Sequence, residues 1–539
     1  MRICFSMDPL TIDPRKNGDW ITSALHYMIF DGLVRINSSD VFELALAKSY
    51  TVSDDGKTYE FTLKEAYWSN GDPILAKDFE NSWKKSLNPT YPTPCPQIFF
   101  FLRNAEKARN GLVPFSEVGV KAIGPKKLRI DLENPCPHLF SLLTLCNLFP
   151  APSLLDSSLD WIDPSRIPVS GPFQIVSWKK REEIHLQKNP FYWDEKNVSH
   201  TELNIFIRQN PNDILKLFNE RKIDLISNLY CSLPVEMLYH AKSDLSDYSE
   251  TEPRQWALAN SKTTHIEKQI DIQPDIVQLI SLGATVFCSF NNSDFPFNNK
   301  NIRKAFSLSI DREEVASFFE TPAGRFLPPP FLKQTPPTSF VHDKAHAKNC
   351  LKLGMKELGI FENGDQLKLR TFFDKMVLYF ENSISRTRVA RILQKQWKEC
   401  LGIQVRLEPV NYQTHVRKFY EGDYSLQLGH WISQYMDPLS ILERFKSKTL
   451  LKNYSRFENG EYSSLIDKIN ETPDRAIRDG YILKAESILS EEATIAPLYH
   501  YNHVVAHQPE LKGISFLQNG ALSFSSCSDP MHEIRALCF

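Results

Sequence analysis

Apolar and polar residues alternate along Lys57-Thr58-Tyr59-Glu60-Phe61-Thr62-Leu63 and along Lys127-Leu128-Arg129-Ile130-Asp131-Leu132. A period of two places every second side chain on one face, so both stretches predict half-exposed β-strands. Elsewhere the spacing is helical. Phe79, Ser82 and Trp83 share one face of a predicted helix over Asp78–Lys85. Val389, Ile392, Leu393, Gln396, Trp397 and Cys400 follow the i, i+3, i+4, i+7 pattern of another. Asp54-Asp55-Gly56, Asn70-Gly71-Asp72-Pro73, Pro328-Pro329-Pro330 and Pro336-Pro337 mark loops between such elements. With no fixed-period repeat and no low-complexity tract, the pattern is that of a mixed α/β chain, and solenoids and propellers drop out.

Single hydrophobic cores stop growing near roughly 250–300 residues, so the 539 residues here predict at least two lobes. The chain is 42% hydrophobic and 24% charged with a net charge of -2, an ordinary globular mixture. Its Lys and Arg residues are dispersed, which leaves no footprint for a nucleic-acid backbone. The most apolar stretch, Leu139 to Leu148, is broken by Ser141, Thr144 and Asn147 and is too short to span a bilayer. Met1-Arg2-Ile3-Cys4-Phe5-Ser6 lacks the basic-then-apolar pattern of an export signal, which implies either a cytoplasmic protein or a signal missing from this sequence. Ten cysteines, Cys4, Cys95, Cys136, Cys146, Cys231, Cys288, Cys350, Cys400, Cys527 and Cys538, form no Cys-x-x-Cys pair. They read as small buried apolar residues, with one disulfide as the alternative.

Several ordered segments carry a family resemblance. Asp8-Pro9-Leu10-Thr11-Ile12-Asp13-Pro14 is followed by Ile29-Phe30-Asp31-Gly32-Leu33-Val34, then by Leu46 to Trp83, with Asp55-Gly56-Lys57-Thr58-Tyr59-Glu60-Phe61 and Trp68-Ser69-Asn70-Gly71-Asp72-Pro73 inside it. Downstream come Ser170-Gly171-Pro172-Phe173, Asn189-Pro190-Phe191-Tyr192-Trp193-Asp194, Arg303 to Arg312, and Ile495-Ala496-Pro497-Leu498-Tyr499. In order and spacing these resemble the extracytoplasmic solute-binding proteins for oligopeptides, dipeptides and nickel. The resemblance implies an α/β periplasmic-binding-protein fold with mixed sheets, a hinge between two lobes and an extra subdomain. It places lobe I at residues 1–37, 165–265 and 490–539, the extra subdomain at 38–164, and lobe II at 266–489. It also implies a monomer, periplasmic or membrane-anchored, that captures a peptide-like ligand between the lobes, delivers it to membrane permease subunits of an ABC importer, and needs no cofactor. A binding-only receptor or chaperone, or a carrier of a nickel chelate, is the alternative.

In oligopeptide binders of this family the segment "G-W-x-A-D-Y-x-D/E-P" pairs with the ligand backbone, and its first acid receives the ligand ammonium. The matching stretch here is His430-Trp431-Ile432-Ser433-Gln434-Tyr435-Met436-Asp437-Pro438. Gln434 replaces the acid, and a neutral amide does not neutralise a desolvated ammonium. Either Asp437 supplies the charge, or the ligand amine is blocked, as in a cell-wall-derived or modified peptide. Main-chain pairing at His430 and Ile432 is indifferent to that change. Asp19 and Trp20 fall where the family places a ligand-contacting loop, with Trp20 as helix core the other reading. Trp431 is expected either to wall a side-chain pocket or to pack under its strand. No basic group for a ligand carboxylate stands out, Arg417 and Lys418 reading as a solvated helix face.

Enzymatic signatures are weak by comparison. Ser82-Trp83-Lys84-Lys85 and Ser177-Trp178-Lys179-Lys180 match Ser-x-x-Lys without its companion motifs. His342 and His346, or His500, His503 and His507, carry a minor expectation of metal ligation, and period two opposes it for His500 and His503. The expectation is a binding protein and not an enzyme.

Overall fold

The computed structural model describes residues 1–37, 41–156, 163–231, 277–316, 319–331, 340–360, 376–450, 452–517 and 520–524, with residues 233 and 373 besides. Pro336-Pro337, Cys527, Cys538 and the end of the expected first-lobe segment, 234–265, lie outside the described residues.

The strands in chain order are β1 (Arg2–Phe5), β2 (Val34–Ile36), β3 (Phe42–Leu44), β4 (Ala47–Val52), β5 (Thr58–Leu63), β6 (Val120–Gly124), β7 (Lys127–Asp131), β8 (Phe173–Lys179), β9 (Glu183–Lys188) and β10 (Glu202–Ile207). They continue with β11 (Leu225–Ser227), β12 (Val277–Phe290), β13 (Thr321–Pro322), β14 (Val377–Glu381), β15 (Arg406–Val410), β16 (Leu426–Ile432), β17 (Ile495–His507), β18 (Ser515–Phe516) and β19 (Leu522–Ser523). Both strands predicted from alternation are present as β5 and β7. They pair antiparallel in a four-stranded sheet ordered β4-β5-β7-β6, with Phe61, Leu63, Leu128 and Ile130 turned into the core. Gly56 and Gly71 hold φ of 67° and 88° in the predicted turns, a conformation that a side chain strains.

The predicted helices are also present, over Ala76–Leu87 and Ile384–Leu401. Trp83 is fully buried and donates its indole N–H to the Leu148 carbonyl at 2.8 Å, and the Ser82 hydroxyl donates to the Phe149 carbonyl at 3.1 Å. Ser82 is thereby tied into a core, which gives it none of the setting of a nucleophile.

An eleven-stranded sheet runs β15-β14-β16-β12-β17-β11-β1-β10-β9-β8, with β13 paired onto β17. Its two halves serve different cores. Ile3, Phe5, Ile205, Leu225 and Val505 belong to one, which continues into the four-stranded subdomain through Phe61 and Trp83. Val286, Cys288 and Phe290 of β12 enter a second core with Leu378 and Trp397, while Phe287 enters a third, on the other face, with Trp431 and Phe445. Because β12 is covered on both faces here, Ala284-Thr285-Val286-Phe287-Cys288 has no polar alternation.

Among the described strands, β12 and β17, of 14 and 13 residues, reach from the first core to the other two. They pair antiparallel along nearly their whole length, and the register slips between Ser281 and Thr285. Gly283 sits in that irregularity. A Cβ built on it would lie 2.2 Å from the Ser433 hydroxyl oxygen and 2.7 Å from the Phe331 ring. Gly283→Ala is therefore expected to cost about 1–3 kcal/mol through overpacking. Urea denaturation measures the loss, and the added substitution Ser433→Gly should restore part of it.

Candidate functional site

The edge of β16 is the structural core of the site. Its pairing with β12 continues to Ile432, but its pairing with β14 covers only Leu426 and Gln427. Beyond Gln427 one edge of β16 therefore has no strand beside it among the described residues. Main-chain groups alternate between edges along a strand. The Leu428 carbonyl accepts from the His415 ring at 2.7 Å, and the Ile432 carbonyl accepts from Arg444 at 3.1 Å. His430 lies midway between them, so its N–H and carbonyl face the same open edge. An unpaired edge is a template for an extended segment of another molecule.

Burial alternates accordingly. His430 and Ile432 are partly exposed, whereas Trp431 is 1% exposed and packs among Phe287, Phe326 and Phe445 with ring centroids 4.0, 5.7 and 5.0 Å away. Of the two roles expected for Trp431, packing beneath the strand is the one its contacts describe. Burial, together with Arg386, His415 and Arg444, lowers the His430 ring to about 3, so its imidazole is neutral at physiological pH.

Past Ile432 the chain turns toward the first core. The Ser433 N–H donates to the Gly283 carbonyl at 2.7 Å. The Gln434 side-chain amide donates to Cys95 Sγ at 3.6 Å, and Tyr435 stacks on His138 with centroids 5.1 Å apart and planes at 12°. Burial lowers His138 to about 4, so this stack involves a neutral ring. Residues 434 and 435 thus bridge the sheet's second half to the four-stranded subdomain.

Asp437 corrects the expectation that it answers a ligand ammonium. Both of its oxygens are held by Arg478, at 2.8 Å each, and Oδ1 also caps the Leu439 N–H at 2.9 Å. Burial pushes the Asp437 carboxyl up, but the Arg478 guanidinium more than offsets this and holds it below its ordinary value. Its charge is satisfied internally, and it fixes the turn into the following helix.

Asp19 and Trp20 belong to the first core's side. Asp19 caps the helix Trp20–Ile29 by accepting the Thr22 N–H at 2.9 Å, while its other oxygen is buried without a hydrogen bond. Trp20 lies across Gly520, where a Cβ would come within 2.5 Å of the ring. The structure gathers His430 to Asp437 along one strand and turn, and sets Asp19 and Trp20 on a separate element.

The sequence reading missed a basic group beside this strand. Arg386 stands in the first turn of the helix Ile384–Leu401 and is 7% exposed. Its guanidinium donates to the hydroxyls of Tyr499 and Tyr501 at 3.3 and 2.8 Å, and it makes no ion pair among the described residues. Tyr501 packs edge-on against His430 at 6.4 Å. Arg386 is far from His430 in the chain and carries no motif, so only the fold discloses the cluster. The Lys418 ammonium lies against Asp423 at 2.8 Å and over the Tyr379 ring at 4.0 Å.

Two of the histidines weighed as ligands have other partners, while both ring nitrogens of the buried His503 lack a hydrogen bond among the described residues. His500 bonds Thr285 at 2.9 Å, and His507 bonds Gln278 at 3.2 Å. Among the described residues no three metal-binding side chains converge, and no helix is long and apolar enough to cross a membrane.

Residues 41–453 match the family described as bacterial extracellular solute-binding proteins, family 5 (middle). The chain is 27% identical to the oligopeptide-binding protein OppA of Bacillus subtilis over 535 residues, covering 97% of this chain and 91% of that one. Among solved structures it resembles the Escherichia coli murein tripeptide binding protein MppA, with a TM-score of 0.72, 23% identity and 96% of each chain covered. It also resembles Haemophilus influenzae OppA in complex with the peptide RPPGFSPFR, with a TM-score of 0.69, 23% identity, and 99% and 98% of the two chains covered.

Asp437→Asn leaves the Arg478 guanidinium buried without its anion, and a loss of roughly 3–5 kcal/mol is expected in urea denaturation. The folded-state carboxyl sits below its ordinary value. The pair's contribution is therefore complete above the ordinary carboxylate range and is lost as pH falls through the folded pKa. Stability measured against pH should lose part of its acid limb in Asp437→Asn.

Proposed function

The chain belongs to the bacterial extracellular solute-binding proteins, family 5, and on that premise we propose that it is the substrate-binding component of an ABC importer for oligopeptides or peptide-like solutes. The observation that carries this reading is the open edge of β16 at His430. An extended ligand laid along it gains main-chain hydrogen bonds whatever its side chains, which suits a receptor for varied sequences.

The ligand's two ends meet different chemistry. Gln434 offers an amide where an ammonium needs an anion, and Asp437 is already committed to Arg478. Arg386, by contrast, is a buried cation held by phenol hydroxyls, beside a neutral His430. A carboxylate of the ligand would complete it, since charge-assisted bidentate pairs are the stronger hydrogen bonds. The ligand favoured is thus a peptide with an available carboxylate and an amine that is acylated or left in solvent.

The lobes are placed as the resemblance implies, with lobe I at 1–37, 165–265 and 490–539, the extra subdomain at 38–164 and lobe II at 266–489. Core membership supports the division in outline: the first core draws mainly on residues before 234 and after 503 and the other two on residues 286–499, so Ile495 to Tyr499 pack on the side of lobe II. Closure about β12 and β17 traps a ligand that touches both lobes, and a ligand shifts that equilibrium only by its preference for the closed form. The closed shape is what permease subunits in the membrane would recognise. The protein acts outside the cytoplasm, as a monomer, and without a catalytic step.

Native mass spectrometry of the purified chain against a peptide library tests the assignment. A chain that arrives empty and ignores the whole library would overturn it. In titration calorimetry, Arg386→Met is expected to weaken a peptide with a free C-terminal carboxylate by about 10- to 100-fold and to leave its C-terminal amide unaffected. Gln434→Asp should shift preference from N-acetylated toward free-amine peptides.

A further inference from the structure

Cys4 lies within β1, in the first half of the large sheet, and Cys231 ends the short helix Asn228–Cys231 that packs beside it. The Ser6 N–H donates to the Tyr230 carbonyl at 2.8 Å, which holds the two backbones side by side. Cys231 Sγ donates to the Cys4 carbonyl at 3.2 Å, although the residues are 227 apart in sequence. Both are 1% exposed. The other described cysteines face different residues. Cys136 meets His138 at 3.5 Å, Cys146 the Ser23 carbonyl at 3.9 Å, Cys400 the Lys344 carbonyl at 3.9 Å, and Cys95 the Gln434 amide at 3.6 Å.

Neither thiol of the pair is placed for other chemistry. Cys4 Sγ donates to the Phe5 carbonyl at 3.6 Å and lies beside the Cys231 thiol. Burial and the adjacent Cys4 side chain raise the Cys231 thiol well above its ordinary value, so in this reduced state it is a neutral, weakly bonded group. Two thiols on neighbouring backbones, with one Sγ 3.2 Å from the other residue's carbonyl, are candidates for a disulfide, and extracytoplasmic compartments are where such bonds persist.

We propose that Cys4 and Cys231 form a disulfide in the exported protein, stapling β1 to the segment that precedes the crossing into β12. Thiol–disulfide exchange with a disulfide-bearing oxidant supplies the chemistry. One thiolate attacks the oxidant's disulfide to give a mixed disulfide and a released thiol. The second thiolate then displaces the oxidant's other sulfur. The Sγ–Sγ bond forms, the oxidant's bond is reduced to two thiols, and those sulfurs take up the two protons. Because the native thiols are closed to solvent, the exchange belongs to folding. The proposal rests on the extracytoplasmic location given above and is independent of the ligand.

Peptide mapping of the full chain, isolated from an oxidising compartment and alkylated with N-ethylmaleimide during denaturation without reductant, tests it. The expected result is one species joining the Cys4 and Cys231 peptides, lighter than their sum by the two lost hydrogens and abolished by reductant. A thermal midpoint several degrees higher without reductant should accompany it, a difference absent in Cys4→Ser. Finding both residues alkylated, or either joined to another cysteine, overturns the proposal. Peptide binding on the same preparation is a separate readout, whose loss would count against the ligand assignment alone.

Discussion

Two antiparallel strands carry the chain between its cores, and their pairing constrains everything on either side. β12 and β17 pair along most of their length, so neither shifts without the other. The register slip at Ser281 and Thr285 interrupts this ladder where the cores change over, and Gly283 allows Ser433 and Phe331 to approach there. A β-bulge locally loosens a ladder and bends its strand. Strand β16 is paired directly to β12, so any bending of the crossing strands moves its open edge relative to the first core.

Three of the segments that carry the family resemblance turn out to be scaffold. Asp31, Ser170, Gly171, Asn189, Tyr192 and Trp193 come from three separate motifs and meet in one buried cluster. Asp31 Oδ2 accepts from the Tyr192 hydroxyl and the Trp193 indole, each at 2.9 Å, while its N–H donates to the Ser170 hydroxyl at 3.0 Å. Asn189 donates to the Gly171 carbonyl at 2.9 Å, and a Cβ on Gly171 would come within 2.5 Å of the Ile29 and Phe30 backbone. Burial raises the Asp31 carboxyl above its ordinary value despite Arg35, Trp193 and Tyr192, which act the other way. A buried polar network tolerates few alternatives because each unpaired member is costly.

Charge in the second half of the sheet is distributed by what each group already holds. Arg478 and Asp437 satisfy one another, and Arg444 is spent on the carbonyls of Ser440 and Ile432. Arg386 donates to phenol hydroxyls, and the Glu320 and Glu381 carboxylates act on its charge at longer range. An acid three residues after Gln434 looked in the sequence like a spare anion, and its partner lies 41 residues further on. Linear spacing does not reveal such a pairing.

Local periodicity was sufficient for β5, β7 and the helices at Ala76–Leu87 and Ile384–Leu401, because burying one face of an element imprints its period on the residues. The frame from His430 to Pro438 and the loss of the acid at Gln434 were likewise legible from residue identity alone. Tertiary structure decided the rest. From Ala284 to Cys288 β12 is covered on both faces and so carries no period, and the burial of Trp431 depends on Phe287, Phe326 and Phe445, which arrive from distant segments. The open edge at His430 exists because β14 stops pairing at Gln427, and Arg386 joins that site through a helix whose own pattern points only to its core. One-dimensional order records which face of an element is buried, whereas which groups meet is set by how the elements pack.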